Sequence, residues 1–334
     1  MTNQPPAGLT PGAFREQVSA FQPSRVLLTS FELGLFTALG EGGLTSGETA
    51  RVLQTDARAT GRLMNALVAL GFLQKHGDRY ANGAFAARHL VHGRPGYMAG
   101  LMHSVHLWKT WSTLTGAVRA GRTVAPREGG EAGERWREAF IAAMHWRGMQ
   151  QAPVEIALLD LGRVTRMLDV GGGSGVYAMA CVRARPGLEA VVFDLPDILP
   201  ITKRHVDEAG LSGRVTLVSG DLTTDDLGRE FDLVLISSIV HSFPLDENQR
   251  LIGKAARALR TGGQVVVREF LMNEDRTGPL SSALFALNML VGTEAGDTYT
   301  ESEIRGWMEA AGLGDITRLD GQFGASFVIG RRPN

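Results

Sequence analysis

From residue 162 onward, short, mostly apolar runs rich in Val and Leu alternate with segments of helical spacing, and this alternation constrains the fold more than any other feature. The runs fall at 166–170, 190–193, 215–218, 233–236 and 265–267. A strand that is apolar on both faces has no side to give to water. Such strands need cover above and below, and the helices between them supply it, which predicts a doubly wound, parallel α/β sheet of Rossmann-like type. The final segments, 316–319 and 326–329, flank Asp320-Gly321, a strong hairpin turn. The sheet is therefore expected to finish in an antiparallel strand.

The front of the chain reads differently. Residues 1–12 hold three prolines and two glycines without periodicity and read as a flexible arm. Helical spacing runs from Phe14 to Leu39, offering Val26, Leu27, Phe31, Leu33, Leu35 and Phe36 as a buried face. Thr45 to Glu48 forms a capped helix start, and Thr55-Asp56 caps a longer helix with Leu63, Leu67, Leu70 and Phe72 on its face. A segment turning at Gly77-Asp78 follows. Two helices and a small hairpin make a winged-helix pattern. If that pattern served DNA, its second helix would need cations, and the segment 56–72 carries only Arg58 and Arg62. A packing and dimerisation module is the better reading. Apolar, Met-containing helices at 98–118 and 136–149 suit a partner chain or a pocket wall, joined by a Gly-rich connector at 121–135.

The expected division is thus an arm at 1–12, a mainly helical winged-helix and dimerisation domain at 13–160, and a cofactor domain at 161–334. With 34 Lys+Arg against 35 Asp+Glu, the chain has no net field to hold nucleic acid or an anionic membrane. The one cysteine, Cys181, supports neither a disulfide framework nor a metal site, and no apolar run reaches the ~18 residues of a membrane span. A cytoplasmic homodimer associating through the front domain is expected.

At the end of the first strand of the sheet stands Asp169-Val170-Gly171-Gly172-Gly173-Ser174-Gly175, which opens a helix. A tight turn with backbone close to a ligand needs glycine there, because a Cβ obstructs both. About 20 residues on, Asp194 in Phe193-Asp194-Leu195-Pro196 ends the second strand, where a carboxylate can accept from ribose hydroxyls. Asp221 and Leu222 follow the third strand, in reach of an adenine edge. Acids at three successive strand ends are expected to converge on one crevice.

These segments, with 241–248 and the tail 301–313, resemble the class of S-adenosylmethionine-dependent O-methyltransferases that includes plant caffeate and animal hydroxyindole O-methyltransferases. The resemblance covers nearly the whole chain, winged helix included. It implies contacts to S-adenosylmethionine, or to its product S-adenosylhomocysteine, from Gly171, Asp194, Asp221, Leu222 and Ser237, with Gly173 and Leu195 beside them. Ser237 stands where a lysine is more common. It also implies that His241, just past the fourth strand, is the general base, and that Glu269, ending the fifth, orients it. A phenol ionises near ~10 and an imidazole near ~6.5, so the proton moves as attack proceeds. The family's His-Asp-Trp is here His241-Ser242-Phe243, and a second flanking glutamate is replaced by Thr298, with Asp297 beside it. Phe140, Met144 and Met289 match positions that clamp an aromatic ring, and Asn288 adds a polar contact. His103, His106 and His145 lack metal-ligand spacing, so no metal is expected.

The resulting expectation is methyl transfer to a phenolic or enolic hydroxyl of a hydrophobic small molecule. Rival readings keep the fold but change the chemistry, to S-adenosylmethionine-dependent hydroxylation or decarboxylation, or to a ligand-sensing DNA-binding regulator. A nicotinamide oxidoreductase fits the terminal hairpin less well.

Overall fold

The computed structural model describes residues 10–125 and 129–333. By contact the chain divides after Lys109. The front unit contains α1 (Pro11–Ser19), α2 (Phe21–Glu32), α3 (Leu35–Leu39), β1 (Leu44–Thr45), α4 (Ser46–Leu53), α5 (Ala57–Ala69), β2 (Leu73–His76), β3 (Arg79–Asn82), α6 (Ala84–His89) and most of α7 (Leu101–Trp111). Its strands pair antiparallel in the order β1-β3-β2, completing the winged helix. Capping explains the boundaries. Thr45 and Glu48 form a reciprocal capping box on α4, and the Asp56 carboxylate accepts from Ala59 N on α5.

Two details of this unit depart from the sequence reading. Thr10 caps a helix whose first residue is Pro11, so residues 10–12 begin α1 instead of extending an arm; residues 1–9 lie outside the described residues. Leu33 and Leu70, expected in the buried face, are exposed. Gly34, at φ +71°, breaks the chain after Leu33, and α5 stops at Ala69, so the core closes on Phe31, Leu35, Phe36, Met64 and Leu67 instead.

The second unit begins with α8 (Leu114–Ala120) and α9 (Gly130–Ile156). The sequence reading grouped these helices with the front domain, up to residue 160; by contact they go with the sheet. Helix α9 starts inside the segment read as a connector, of which residues 126–128 lie outside the described residues. There follow β4 (Arg166–Val170), α10 (Val176–Ala184), β5 (Glu189–Asp194), α11 (Leu199–Glu208), β6 (Val215–Ser219), β7 (Phe231–Ser237), α12 (Leu245–Ala258), β8 (Leu259–Glu269), α13 (Leu280–Gly292), α14 (Glu301–Ala310), β9 (Gly314–Asp320) and β10 (Ser326–Arg331). The sheet order is β6-β5-β4-β7-β8-β10-β9, parallel from β6 to β8. Strand β10 then runs antiparallel to both β8 and β9. The expected antiparallel finish is present, although β9 and β10 are joined by a loop over 321–325 and not by a two-residue turn.

The sheet buries an apolar cluster on each face. One holds Leu168, Val234, Val265 and the inner faces of α12 and α14; the other holds Met167, Leu233, Val266 and residues of α9 and α10. Helix α9 lies close on α10, since a Cβ at Gly148 would fall 2.4 Å from Val176 Cγ1. Its last turn is fastened by a buried ion pair. Arg268, on β8, donates to both carboxylate oxygens of Glu155 at 2.7 and 3.0 Å, and Tyr177 adds a hydroxyl at 2.6 Å. Two further guanidinium protons go to Ser238 Oγ and Gln151 Oε1. Arg268→Met strands the Glu155 carboxylate in the interior, and is expected to lower the unfolding free energy by about 3–5 kcal/mol in urea denaturation, with Glu155→Leu added to it restoring most of the loss.

Candidate functional site

Parallel topology brings the carboxyl ends of β4, β5, β6, β7 and β8 to one edge, and every residue singled out on those strands stands along it. The turn after β4 runs through Gly171 and Gly173 at φ +65° and +57°, conformations that L side chains rarely adopt. A Cβ on Gly171 would lie 2.4 Å from Ile239 Cδ1 and 3.6 Å from Leu222 Cδ2. The bare Cα therefore lets the loops that follow β6 and β7 pack directly against the turn.

Asp194 ties its loop to that turn. Its Oδ2 accepts from Gly173 N at 2.8 Å and its Oδ1 from Leu195 N at 2.8 Å, while burial pushes its pKa up. The Leu195 side chain itself is exposed. Asp221 is held within its own loop, where the Thr223 hydroxyl and N–H donate to Oδ1 at 2.6 and 2.8 Å and keep the carboxyl below its usual range. The Leu222 carbonyl accepts from Lys254 Nζ at 2.7 Å, and Ser237 ends β7 in register with Arg268. The third acid does not join the crevice. Asp169 is fully enclosed beneath Gly172 and accepts from Ala178 N at 3.2 Å; burial pushes its pKa to about 7, with Asp194 adding to the rise.

The other half of the site follows β7. Ser238 takes φ +58°, and the chain then makes a single 3-10 turn, Val240–Ser242. His241 Nδ1 lies 2.8 Å from Glu269 Oε2. Glu269 is 0% exposed and His241 9% exposed. A carboxylate without water needs a donor, and a proton on His241 Nδ1 supplies one. The other oxygen, Oε1, accepts from Phe270 N at 2.9 Å. The ring of Phe285 stands edge-to-face with the imidazole, centroids 4.8 Å apart at 83°.

On α13, Asn288 Oδ1 accepts from the Trp111 indole at 2.8 Å, which leaves the Asn288 NH2 to donate, and Met289 is buried beside it. On α9, Phe140 stacks on Trp136 at 5.3 Å, Met144 is half-buried one turn on, and Ile141 Cδ1 lies 3.4 Å from where a Gly173 Cβ would be. Thr298 and Asp297 do not replace the second glutamate at the ring. Thr298 is buried, with its hydroxyl on Ser282 O at 3.4 Å, and the Asp297 carboxylate pairs with Arg276 at 3.2 Å. His145 stacks on His205 at 3.8 Å, and burial lowers its pKa to about 4. Among the described residues no group of three or more His, Cys, Asp or Glu is placed to hold a metal, and no helix is long and apolar enough to cross a membrane.

The sequence reading missed Ile239, Phe285, Trp111 and Arg268. For Phe285 a signal existed, since it precedes Asn288 and Met289 by three and four positions and shares their face of the helix. For Ile239 and Trp111 none did, because their neighbours come from distant segments.

Comparison with known proteins gives a consistent result. A family profile described as the O-methyltransferase domain matches residues 111–314, and one described as the O-methyltransferase dimerisation domain matches residues 16–92. The chain is 33% identical over 319 residues to a 3-hydroxy-5-methyl-1-naphthoate 3-O-methyltransferase of Streptomyces sahachiroi, covering 93% of this chain and 92% of the relative. It is 30% identical over 329 residues to an N,N-dimethyltransferase of Streptomyces rimosus, with 94% of each covered. The crystal structure of human N-acetylserotonin methyltransferase in complex with SAM superimposes with a TM-score of 0.82 at 25% identity, covering 99% of this chain and 100% of that one.

The buried Asp169 generates a prediction. Its folded-state pKa is raised, so between about 4 and 7 the unfolded chain loses this proton while the folded chain keeps it, and stability falls as pH rises through that window. The melting temperature of Asp169→Asn relative to the parent protein is expected to climb from pH 4 to pH 7 and level off above.

Proposed function

Because the chain belongs to the O-methyltransferase family of S-adenosylmethionine-dependent enzymes, we propose that it methylates a phenolic or enolic hydroxyl of a hydrophobic small molecule, with His241 as general base. The observation that carries this reading is the buried pair of His241 and Glu269, 2.8 Å apart at the ends of neighbouring strands, two strands in from the glycine turn at most. The glycine turn after β4, with the Asp194 carboxylate beside it at the end of β5, suits a nucleoside cofactor, because backbone bare of Cβ atoms can approach a ligand closely and the carboxylate can accept from ribose hydroxyls. Gly171, Gly173, Asp194, Leu195, Asp221, Leu222 and Ser237 would hold the donor. When bound, S-adenosylmethionine supplies a methyl group activated by its sulfonium, so the protein's task is to align an oxygen and take its proton.

Glu269 fixes the imidazole tautomer and stabilises the cation formed when Nε2 accepts the hydroxyl proton. The enclosure around His241, with Phe285 edge-on, excludes water that would compete for that lone pair. Phe140, Met144 and Met289 clamp the acceptor ring. Asn288, its oxygen occupied by Trp111, donates to an acceptor atom elsewhere on the substrate. The names of the relatives, a hydroxynaphthoate and an N-acetylserotonin enzyme, support a fused or bicyclic aromatic alcohol.

The proposal is tested by incubating the enzyme with methyl-labelled S-adenosylmethionine and a panel of phenols that includes 3-hydroxy-5-methyl-1-naphthoate and N-acetylserotonin. Label is expected in an aryl methyl ether; label found only on nitrogen, or consumption of the panel without label, would sink it. His241→Ala is expected to slow turnover by ~10² or more while calorimetry gives unchanged affinity for S-adenosylhomocysteine.

The same reading includes a homodimer formed through the front domain. Helix α1 buries none of its residues, and Phe14, Val18 and Phe21 stand exposed at helical spacing within or beside the match to the dimerisation domain. Phe14→Asp with Val18→Asp is expected to shift the protein to monomer in sedimentation velocity, and an unchanged sedimentation coefficient would remove α1 from the interface.

A further inference from the structure

His241 sits in a turn too short to hold itself. The 3-10 turn makes only Ser242 N to Ile239 O at 2.9 Å and Phe243 N to Val240 O at 3.3 Å, a geometry poorer than that of an α-helix. The family features that resemblance places around this histidine are also missing, since Ser242 and Phe243 replace its aspartate and tryptophan and Thr298 turns to Ser282. Yet the imidazole stands in hydrogen-bond contact with Glu269.

We infer that Asn248 is a positioning residue that fixes His241 through the main chain of its own turn, a role that rests on the reading of His241 as base. Asn248 lies on α12 and is 0% exposed. Its amide nitrogen donates to Val240 O at 2.8 Å and to Phe243 O at 3.0 Å, the carbonyls immediately before the histidine and two residues after it. Two protons on one nitrogen therefore bracket the catalytic residue. Its Oδ1 takes no hydrogen bond although it is buried. An orphaned buried acceptor is a cost that an apolar residue of the same size would avoid, so the amide is kept for its donors.

The far side of the turn is closed by one main-chain and one side-chain donor. Asp297 N donates to His241 O at 3.0 Å, and the Tyr299 hydroxyl donates to Phe243 O at 2.5 Å. Gly296 permits this approach, because a Cβ there would fall 2.3 Å from His241 O. The segment that brings a second carboxylate to the ring in the resembled family here grips the carbonyl behind it. Asn248 is the only side chain that bonds on both sides of His241 among these groups, and an aspartate of identical shape offers no donor at all.

Loss of the amide should let the turn relax and the ring leave Glu269. A catalytic group displaced by ~1 Å costs on the order of 10² in rate, so Asn248→Ala and Asn248→Asp are each expected to lower kcat by roughly 10- to 100-fold. The KM for S-adenosylmethionine and the affinity for S-adenosylhomocysteine should stay as in the parent protein. Turnover is read with 3-hydroxy-5-methyl-1-naphthoate, or with N-acetylserotonin if that is the faster of the two. Crystal structures of both variants with S-adenosylhomocysteine are expected to show His241 Nδ1 out of hydrogen-bond range of Glu269. A purely structural residue would slow the enzyme equally with or without the base, so the decisive comparison is His241→Ala with and without Asn248→Ala. The double variant should be no slower than His241→Ala alone. A variant that keeps the Glu269 contact in the crystal, or a double variant slowed by the full factor of Asn248→Ala, overturns the inference. If His241→Ala itself leaves turnover unchanged, the reading of the base fails instead, and the crystal structures still decide whether Asn248 holds the ring.

Discussion

A carboxyl group sealed from water needs hydrogen-bond partners, and the carboxyl edge of this sheet is arranged around one such group. Glu269 has no exposed surface, and the imidazole 2.8 Å away is its side-chain partner. That bond exists only because β7 and β8 are neighbours in parallel register, with Ser237 opposite Arg268. The next residue on β8 is Glu269, and the chain leaving β7 needs one strained step at Ser238 and a single 3-10 turn to bring His241 over it. Alternation along β8 then gives its last two residues to opposite faces. Glu269 serves the site, while Arg268 crosses to Glu155 on α9 and reaches back to Ser238. One strand end thus holds the His241 ring from the front and braces its loop from behind.

The cofactor side depends on absence. Where the pair of His241 and Glu269 needs bonds, the glycine turn needs Gly171 to lack a Cβ, because Ile239 already packs where one would stand. Asp194 couples the two strands by accepting from Gly173 N, and its partly satisfied, half-buried carboxylate retains capacity for further donors. The acceptor side is built differently again, from helices. Ile141 places α9 against the glycine turn, and Trp111 fixes the face that Asn288 presents.

Much of this was legible because it rests on local chemistry. Mostly apolar runs such as 190–193 and 233–236, alternating with helical segments, point to covered parallel strands, and the Thr45 and Thr300 caps announce α4 and α14 by themselves. The pairing of His241 with Glu269 followed from resemblance and strand order together. Other features lay out of reach for stated reasons. Asp169 resembles Asp194 in sequence context but is turned under the loop, since the strand's alternation gives it to the interior. Leu33 and Leu70 obey helical spacing and still face water, because helices ended one residue too soon.

What the sequence determined alone is the class of sheet, the glycine turn and the identity of the groups able to do chemistry, all consequences of side-chain type at fixed spacing. Tertiary structure decided which of those groups meet. Asn248 and Val240, Trp111 and Asn288, Arg268 and Glu155 lie 8, 177 and 113 positions apart. Their pairing depends on how helices settle on the sheet, and packing of that kind is settled by shape and burial over the whole interior, which no local pattern of residues encodes.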